Sequence, residues 1–284
     1  MLKQRIITAV VLLAILLPAL FWRSPAPFLV VALILIGAGA WEWGRLNGLG
    51  QAGALLPAGI CVAMCAASWS TVLLPQPLPL AWGFAGVAWV IGGAWLLRAG
   101  VAGWPRIPHR VRLAVGVIAL WLAWLAVARA RVIGINFLLS ILVLVWVADI
   151  AAYAAGRTFG LKFTKRKLAP AISPGKSWEG AWGAMAGVLV LALAWVLADR
   201  AVHANVPSLY TRLAGAGWWL LAIGAVFLAA MSVVGDLVES LVKRSAGAKD
   251  SSKLLPGHGG VLDRVDALLP TLPLAMMLTS MFSR

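Results

Sequence analysis

Charge is what this chain has least of. Only 12% of its 284 residues are Asp, Glu, Lys or Arg, roughly half of what a soluble domain carries. With a mean hydropathy of +0.95, that excludes a water-soluble domain and implies a polytopic membrane protein. Cysteine is almost missing as well. Cys61 and Cys65 stand four residues apart in an apolar stretch, with no His or further Cys beside them. That pattern excludes a zinc site and leaves two plain membrane thiols. The run Pro-Ala-Leu-Phe-Trp at 18–22 lacks a small-x-small cleavage site. The first apolar run, although preceded by Lys3 and Arg5, therefore reads as a retained helix rather than a signal peptide. No internal repeat and no soluble domain is visible.

What is present is apolar helix. Nine spans are expected near residues 6–22, 27–44, 54–74, 80–98, 112–128, 135–156, 180–198, 217–238 and 265–282. Each approaches the roughly 20 apolar residues that cross a bilayer. The fold class is all-α, a polytopic membrane helix bundle forming one integral domain over 1–284. Hydrophobic helices fill 1–134, and 135–284 is the half with long polar loops, at 156–179 and 239–264, where any site is expected. Arg45-Leu-Asn-Gly-Leu-Gly and Pro75-Gln-Pro-Leu-Pro supply turn chemistry between spans.

A net charge of +15 does not point to nucleic acid, because the basic residues lie in short loops between apolar runs. With nine spans, 18 Lys and Arg fall on the N-terminal side of the membrane and 6 on the other. That asymmetry places the N-terminus and both long polar loops in the cytoplasm. Trp22, Trp41, Trp43, Trp178, Trp218 and Trp219 lie near span ends, where interfacial anchors are expected.

The few charges are crowded. Between Asp236 and Asp266, 31 residues hold ten of the 33 charges and five of the nine acids, interleaved with Gly-His-Gly-Gly. If a membrane helix continues through Arg244, Asp236, Glu239, Ser240 and Lys243 fall on one face. Asp263 and Asp266 share a face at the start of the next helix. Two acidic faces joined by a basic, glycine-containing loop suit a hard divalent cation held against phosphate oxygens.

Asp149 is a second signal, since a carboxylate inside an apolar run is costly and usually functional. Tyr153, four residues on, shares its face, and a packing carboxylate is the plainer alternative. Gly175-Lys176-Ser177 looks like the end of a nucleotide P-loop, but position 170 is Pro where that motif requires Gly. Ser173-Pro174 suits a helix start that could hold an anion. Of the nine acids, only Glu42 and Asp199 fall outside these regions, and Asp199→Asn is expected to be silent.

The run Ser240 to Asp266, S-L-V-K-R-S-A-G-A-K-D-S-S-K-L-L-P-G-H-G-G-V-L-D-R-V-D, closely resembles the signature of phosphatidate cytidylyltransferases, also called CDP-diacylglycerol synthases. The earlier D-x-x-A-Y-x-x-G and I-S-P-G-K-S-W-E-G runs resemble the same family. The likeness implies CTP and phosphatidate as substrates, CDP-diacylglycerol and pyrophosphate as products, and a bacterial inner membrane location with the site facing the cytoplasm. It implies Mg²⁺ as cofactor, with room for a second cation, and Asp236, Asp263 and Asp266 as its ligands. Lys176, Lys243, Arg244, Lys249, Lys253 and Arg264 are expected to neutralise the triphosphate and lipid headgroup, with Ser177 and Asp149 beside them. Gly259 and Gly260 would let backbone N–H groups approach phosphate. His258 either binds substrate or orders the turn, and Asp250 either orients Lys249 or contacts the nucleotide. Membrane lipid is a further partner and a homodimer is allowed. The competing readings are a CTP-dependent polyprenol or lipid kinase and, with less support, a transporter.

Overall fold

Apolar runs in a medium without hydrogen-bond partners must satisfy their backbone internally, which leaves the helix as their structure. The computed structural model describes residues 2–71, 74 and 76–282. Pro75, within an expected turn, and Arg284, within the charge count, lie outside them. Among the described residues, eight helices are long and apolar enough to cross a membrane. They are α1 (Leu2–Phe21), α2 (Ala26–Leu46), α4 and α5 (Pro79–Val87 and Gly93–Ala99, joined by a π-helical turn), α6 (His109–Ile133), α7 (Ile135–Phe159), α8 (Trp178–Ala201), α10 (Trp218–Ser245), and the pair α11 (Leu262–Val265) and α12 (Leu268–Phe282). The span expected at 54–74 is the shorter α3 (Leu55–Ser70) of 16 residues. It rises about 24 Å, less than the ~30 Å hydrocarbon core. The bundle is thus the all-α membrane architecture that the apolar runs imply.

Inside the 156–179 loop a small hairpin forms, with β1 (Lys167–Ala169) antiparallel to β2 (Ser173–Ser177). This corrects the helix start expected at Ser173-Pro174. The helix begins at Trp178 instead, and the Ser177 hydroxyl accepts the Gly180 N–H at 3.1 Å. A helix opened at Ser173 would carry Gly175 in its first turn, where glycine costs about 1 kcal/mol relative to alanine.

Two close approaches bring the polar ends of the helices together. A side chain at Gly183 or Gly187 would collide with Ala155 or Ala151 of α7, so the small-residue stripe lets α8 lie against α7. A side chain at Gly235 would meet the Asp266 carbonyl at 2.6 Å and Pro270 at 2.7 Å, so glycine lets α10 touch the α11–α12 junction.

Asp199 is not the idle surface acid that the sequence implies. It is 6% exposed and accepts from Asn136 Nδ2 at 2.9 Å, Ser208 N at 3.0 Å and Thr211 Oγ1 at 2.6 Å. It thereby ties α7 and α8 to α9 (Leu209–Ala216). Asp199→Asn turns an amide donor toward these donors, and a loss of about 1–3 kcal/mol is expected. A lower melting temperature in detergent, with normal turnover of the folded protein, checks it; an unchanged melt would contradict it.

Candidate active site

The last turns of α10 carry the chemistry that its neighbours complete. A cavity of about 430 Å³ is lined by Asp149, Tyr153 and Gly156 of α7, Lys176 and Ser177 of the hairpin, and Asp236 of α10. Lys176 Nζ stands 2.5 Å from Asp236 Oδ2, and both side chains stay about one quarter to one third exposed (26% and 31%). Ser240 Oγ donates to the other Asp236 oxygen at 3.3 Å. Asp149 lies within electrostatic reach of Asp236, Lys176 and Arg264. Asp266 in turn feels the charges of both Asp236 and Asp149. Asp149, Asp236 and Lys176 thus line one cavity, and Asp266 stands outside its lining but close enough to feel both acids.

One turn further along α10 the geometry differs from expectation. Lys243, expected to meet a triphosphate, is held 2.5 Å from Glu239 Oε2 and 2.6 Å from Asp263 Oδ1, with its side chain 11% exposed. The i, i+4 spacing of Glu239 and Lys243 pairs them before any substrate arrives. Asp263 is equally committed. Its second oxygen accepts the Ser251 N–H at 2.9 Å and the Gly260 N–H at 2.7 Å, with the Ser251 hydroxyl at 3.0 Å. Asp263, expected as a metal ligand, therefore acts here as the anchor of a loop. Among the described residues, no three His, Cys, Asp or Glu side chains gather as a ready metal cage. Gly260 likewise spends its N–H on Asp263 rather than offering it to phosphate. Gly259 has φ +83°, and a side chain there would reach Asp263 Oδ2 at 2.6 Å.

The rest of the signature lies outside the residues that line the cavity. Lys249, Asp250 and Lys253 are exposed. Arg244 joins two walls, donating to Ile172 O at 3.4 Å and Ala248 O at 3.1 Å. Arg264 donates twice to the His258 carbonyl, at 3.0 and 2.6 Å, while the His258 N–H reaches Leu255 O at 2.8 Å. His258 thus helps order the turn through its backbone.

One acid absent from the sequence-derived site belongs beside it. Glu42 of α2 is fully buried and accepts from Ser252 Oγ at 2.5 Å, Val261 N at 2.9 Å, Leu262 N at 2.7 Å and Ser251 Oγ at 3.1 Å. A lone carboxylate inside an apolar span was the criterion that singled out Asp149, and it applies equally to Glu42.

The chain matches the family model described as "Cytidylyltransferase family" over residues 3–282. It is 39% identical over 278 residues to a phosphatidate cytidylyltransferase of Pseudomonas aeruginosa, covering 96% of this chain and 95% of that one. A Haemophilus influenzae protein of the same name is 35% identical, covering 96% of both. A third, from Brucella suis, is 34% identical over 99% of this chain and 94% of its own.

Proposed function

The chain belongs to the cytidylyltransferase family, and we infer from that premise that it transfers the cytidylyl group of CTP to phosphatidate. The products are CDP-diacylglycerol, a phospholipid precursor, and pyrophosphate. The observation that carries this to particular residues is the Lys176–Asp236 pair across an open acidic cavity at the polar end of membrane helices.

A phosphate oxygen of the lipid attacks the α-phosphorus of CTP, the bond from that phosphorus to the bridging oxygen breaks, and pyrophosphate leaves. The attacking oxygen is largely ionised near neutral pH, so no strong general base is needed and catalysis is positioning and charge neutralisation. Lys176 is a cation already inside the cavity, and its ammonium transfers from Asp236 to phosphate oxygens when substrate enters. Arg264, within reach of Asp149, holds negative charge on the lipid side. Arg157, which lines the cavity and donates to the Tyr153 hydroxyl at 2.9 Å, borders the same space.

The donor set fits a hard cation. Asp149, Asp236 and Asp266 influence one another electrostatically, an arrangement that repels a bare triphosphate. Mg²⁺ prefers a few carboxylates completed by substrate phosphates. Asp236 and Asp266 are the residues that would hold it, with Asp149 nearby and Asp263 supporting the loop behind them. When bound, such an ion neutralises phosphate charge and stabilises the leaving group.

The charge asymmetry, with short α3 counted among the nine crossings, supports a cavity on the cytoplasmic face of a bacterial inner membrane with the N-terminus on that side. The Arg5 Nε bond to the Gly257 carbonyl at 2.9 Å fits that shared side. A cysteine replacing exposed Lys253 should be labelled by an impermeant thiol reagent only when that face is opened, and one replacing Asn205 should be labelled from outside. The opposite labelling pattern would overturn this orientation.

Purified protein given CTP and phosphatidate should release pyrophosphate in step with lipid product, and none without phosphatidate. Release of CDP in place of pyrophosphate would overturn the transferase reading in favour of a kinase.

A further inference from the structure

We propose that Glu42 is a positioning residue for the transfer reaction, clamping the 251–262 loop so that the segment carrying Asp263 and Asp266 stands where the site requires it. The inference rests on the functional reading above. Glu42 comes from α2, 209 residues from its first partner in sequence, and lies outside every region with a recognisable motif. Its carboxylate is fully buried, and none of the three ion pairs among the described residues includes it.

A buried carboxylate without a cation is costly unless hydrogen bonds satisfy it. Here every donor facing it comes from this one loop. Ser251 and Ser252 bind it from the loop's entrance, and the Val261 and Leu262 N–H groups from its exit. Those two N–H groups open the turn of α11, where a helix otherwise leaves donors unpaired. Asp263 is the next residue.

Two further observations tie the clamp to the site. The Ser251 hydroxyl lies 3.1 Å from Glu42 and 3.0 Å from Asp263, so one proton is shared between the clamp and the Lys243 partner. A side chain at Gly260 would collide with both Ser251 and the Glu42 carboxylate. Glycine at this position therefore admits Glu42. A well-packed apolar residue would hold α2 in the bundle without the desolvation penalty, so what the carboxylate adds is the conformation of the loop.

The test uses the full-length protein in detergent, with Glu42→Gln as the main variant. Glutamine keeps the shape but offers one acceptor oxygen and turns donors toward donors. Loss of such supporting contacts typically costs 10- to 100-fold, so kcat is expected to fall at least roughly tenfold. KM for CTP and for phosphatidate should stay within about threefold, because the contacts of bound substrate remain. The melting temperature should fall modestly, as for any buried carboxylate that loses an acceptor oxygen, while amide exchange across 249–262 accelerates selectively by about tenfold or more. Ser252→Ala should produce a smaller loss of the same kind. The double variant should be no slower than Glu42→Gln alone, since both act through one contact.

Parental kcat and loop exchange in Glu42→Gln would overturn the proposal. So would exchange that accelerates throughout the bundle rather than across 249–262, which marks a purely structural role, or additive effects of the two substitutions. The exchange measurement does not depend on the reaction. It decides the clamp even if the parent protein releases no pyrophosphate from this substrate pair, an outcome that would count against the functional reading instead.

Discussion

Asp263→Asn is expected to lower activity by about two orders of magnitude, the upper end of what losing a supporting contact behind the site costs, and to lower the melting temperature as well. The second effect comes from burial. The Asp263 side chain is 6% exposed and holds Lys243 at 2.6 Å while its other oxygen receives the Ser251 and Gly260 N–H groups. Asparagine must turn its amide donor either toward the Lys243 ammonium or toward those N–H groups. Removing one partner of a buried pair costs about 3–5 kcal/mol, and the lower end is expected because Glu239 still faces Lys243. The sequence alone places this acid at the start of a helix and gives no sign of its burial. Turnover and thermal melting of the purified variant check both effects. A parental melt with near-normal turnover would remove Asp263 from both roles.

Asp236→Asn is expected to match that loss of activity, at least about two orders of magnitude, while leaving the melt nearly unchanged. Its pair with Lys176 stands open at the cavity, the two side chains 31% and 26% exposed, and an ion pair so hydrated contributes only about 0–1 kcal/mol to stability. Lys176→Met should likewise keep the fold, and should raise KM for CTP along with lowering kcat. Two acids on different helices, Asp236 of α10 and Asp263 of α11, are thereby separated by stability rather than activity. Equal destabilisation by the two asparagine variants would mean that the cavity and the buried pair are one structural unit, contrary to this account.

Much of this arrangement is legible in the sequence, for identifiable reasons. Apolar runs locate the helices because length and hydropathy suffice where the solvent is lipid. Only α3 falls short, since its apolar run continues past the Ser70 end of the helix. The crowding of acids between Asp236 and Asp266 is equally visible, as is Asp149. The partner of each side chain is not. Helical spacing puts Asp236 and Lys243 on one face, but does not say that the hairpin meets the first and α11 the second. Lys243 and Gly260 therefore look like phosphate ligands until Asp263 is seen between them. The hairpin escapes detection because Lys-Leu-Ala and Ser-Pro-Gly-Lys-Ser lack the alternating pattern of a strand. Glu42 meets the same criterion as Asp149, but its partners lie at the other end of the chain, and no local pattern encodes a contact of that range.

The most direct test of the account follows the phosphorus atoms. Purified protein in phosphatidate vesicles is supplied in parallel with CTP labelled at the α-phosphate and at the γ-phosphate, and lipid and aqueous products are separated. The account predicts α-label in the lipid and γ-label wholly in pyrophosphate, with both signals lost together in Asp236→Asn. Label from the γ position in the lipid would contradict it.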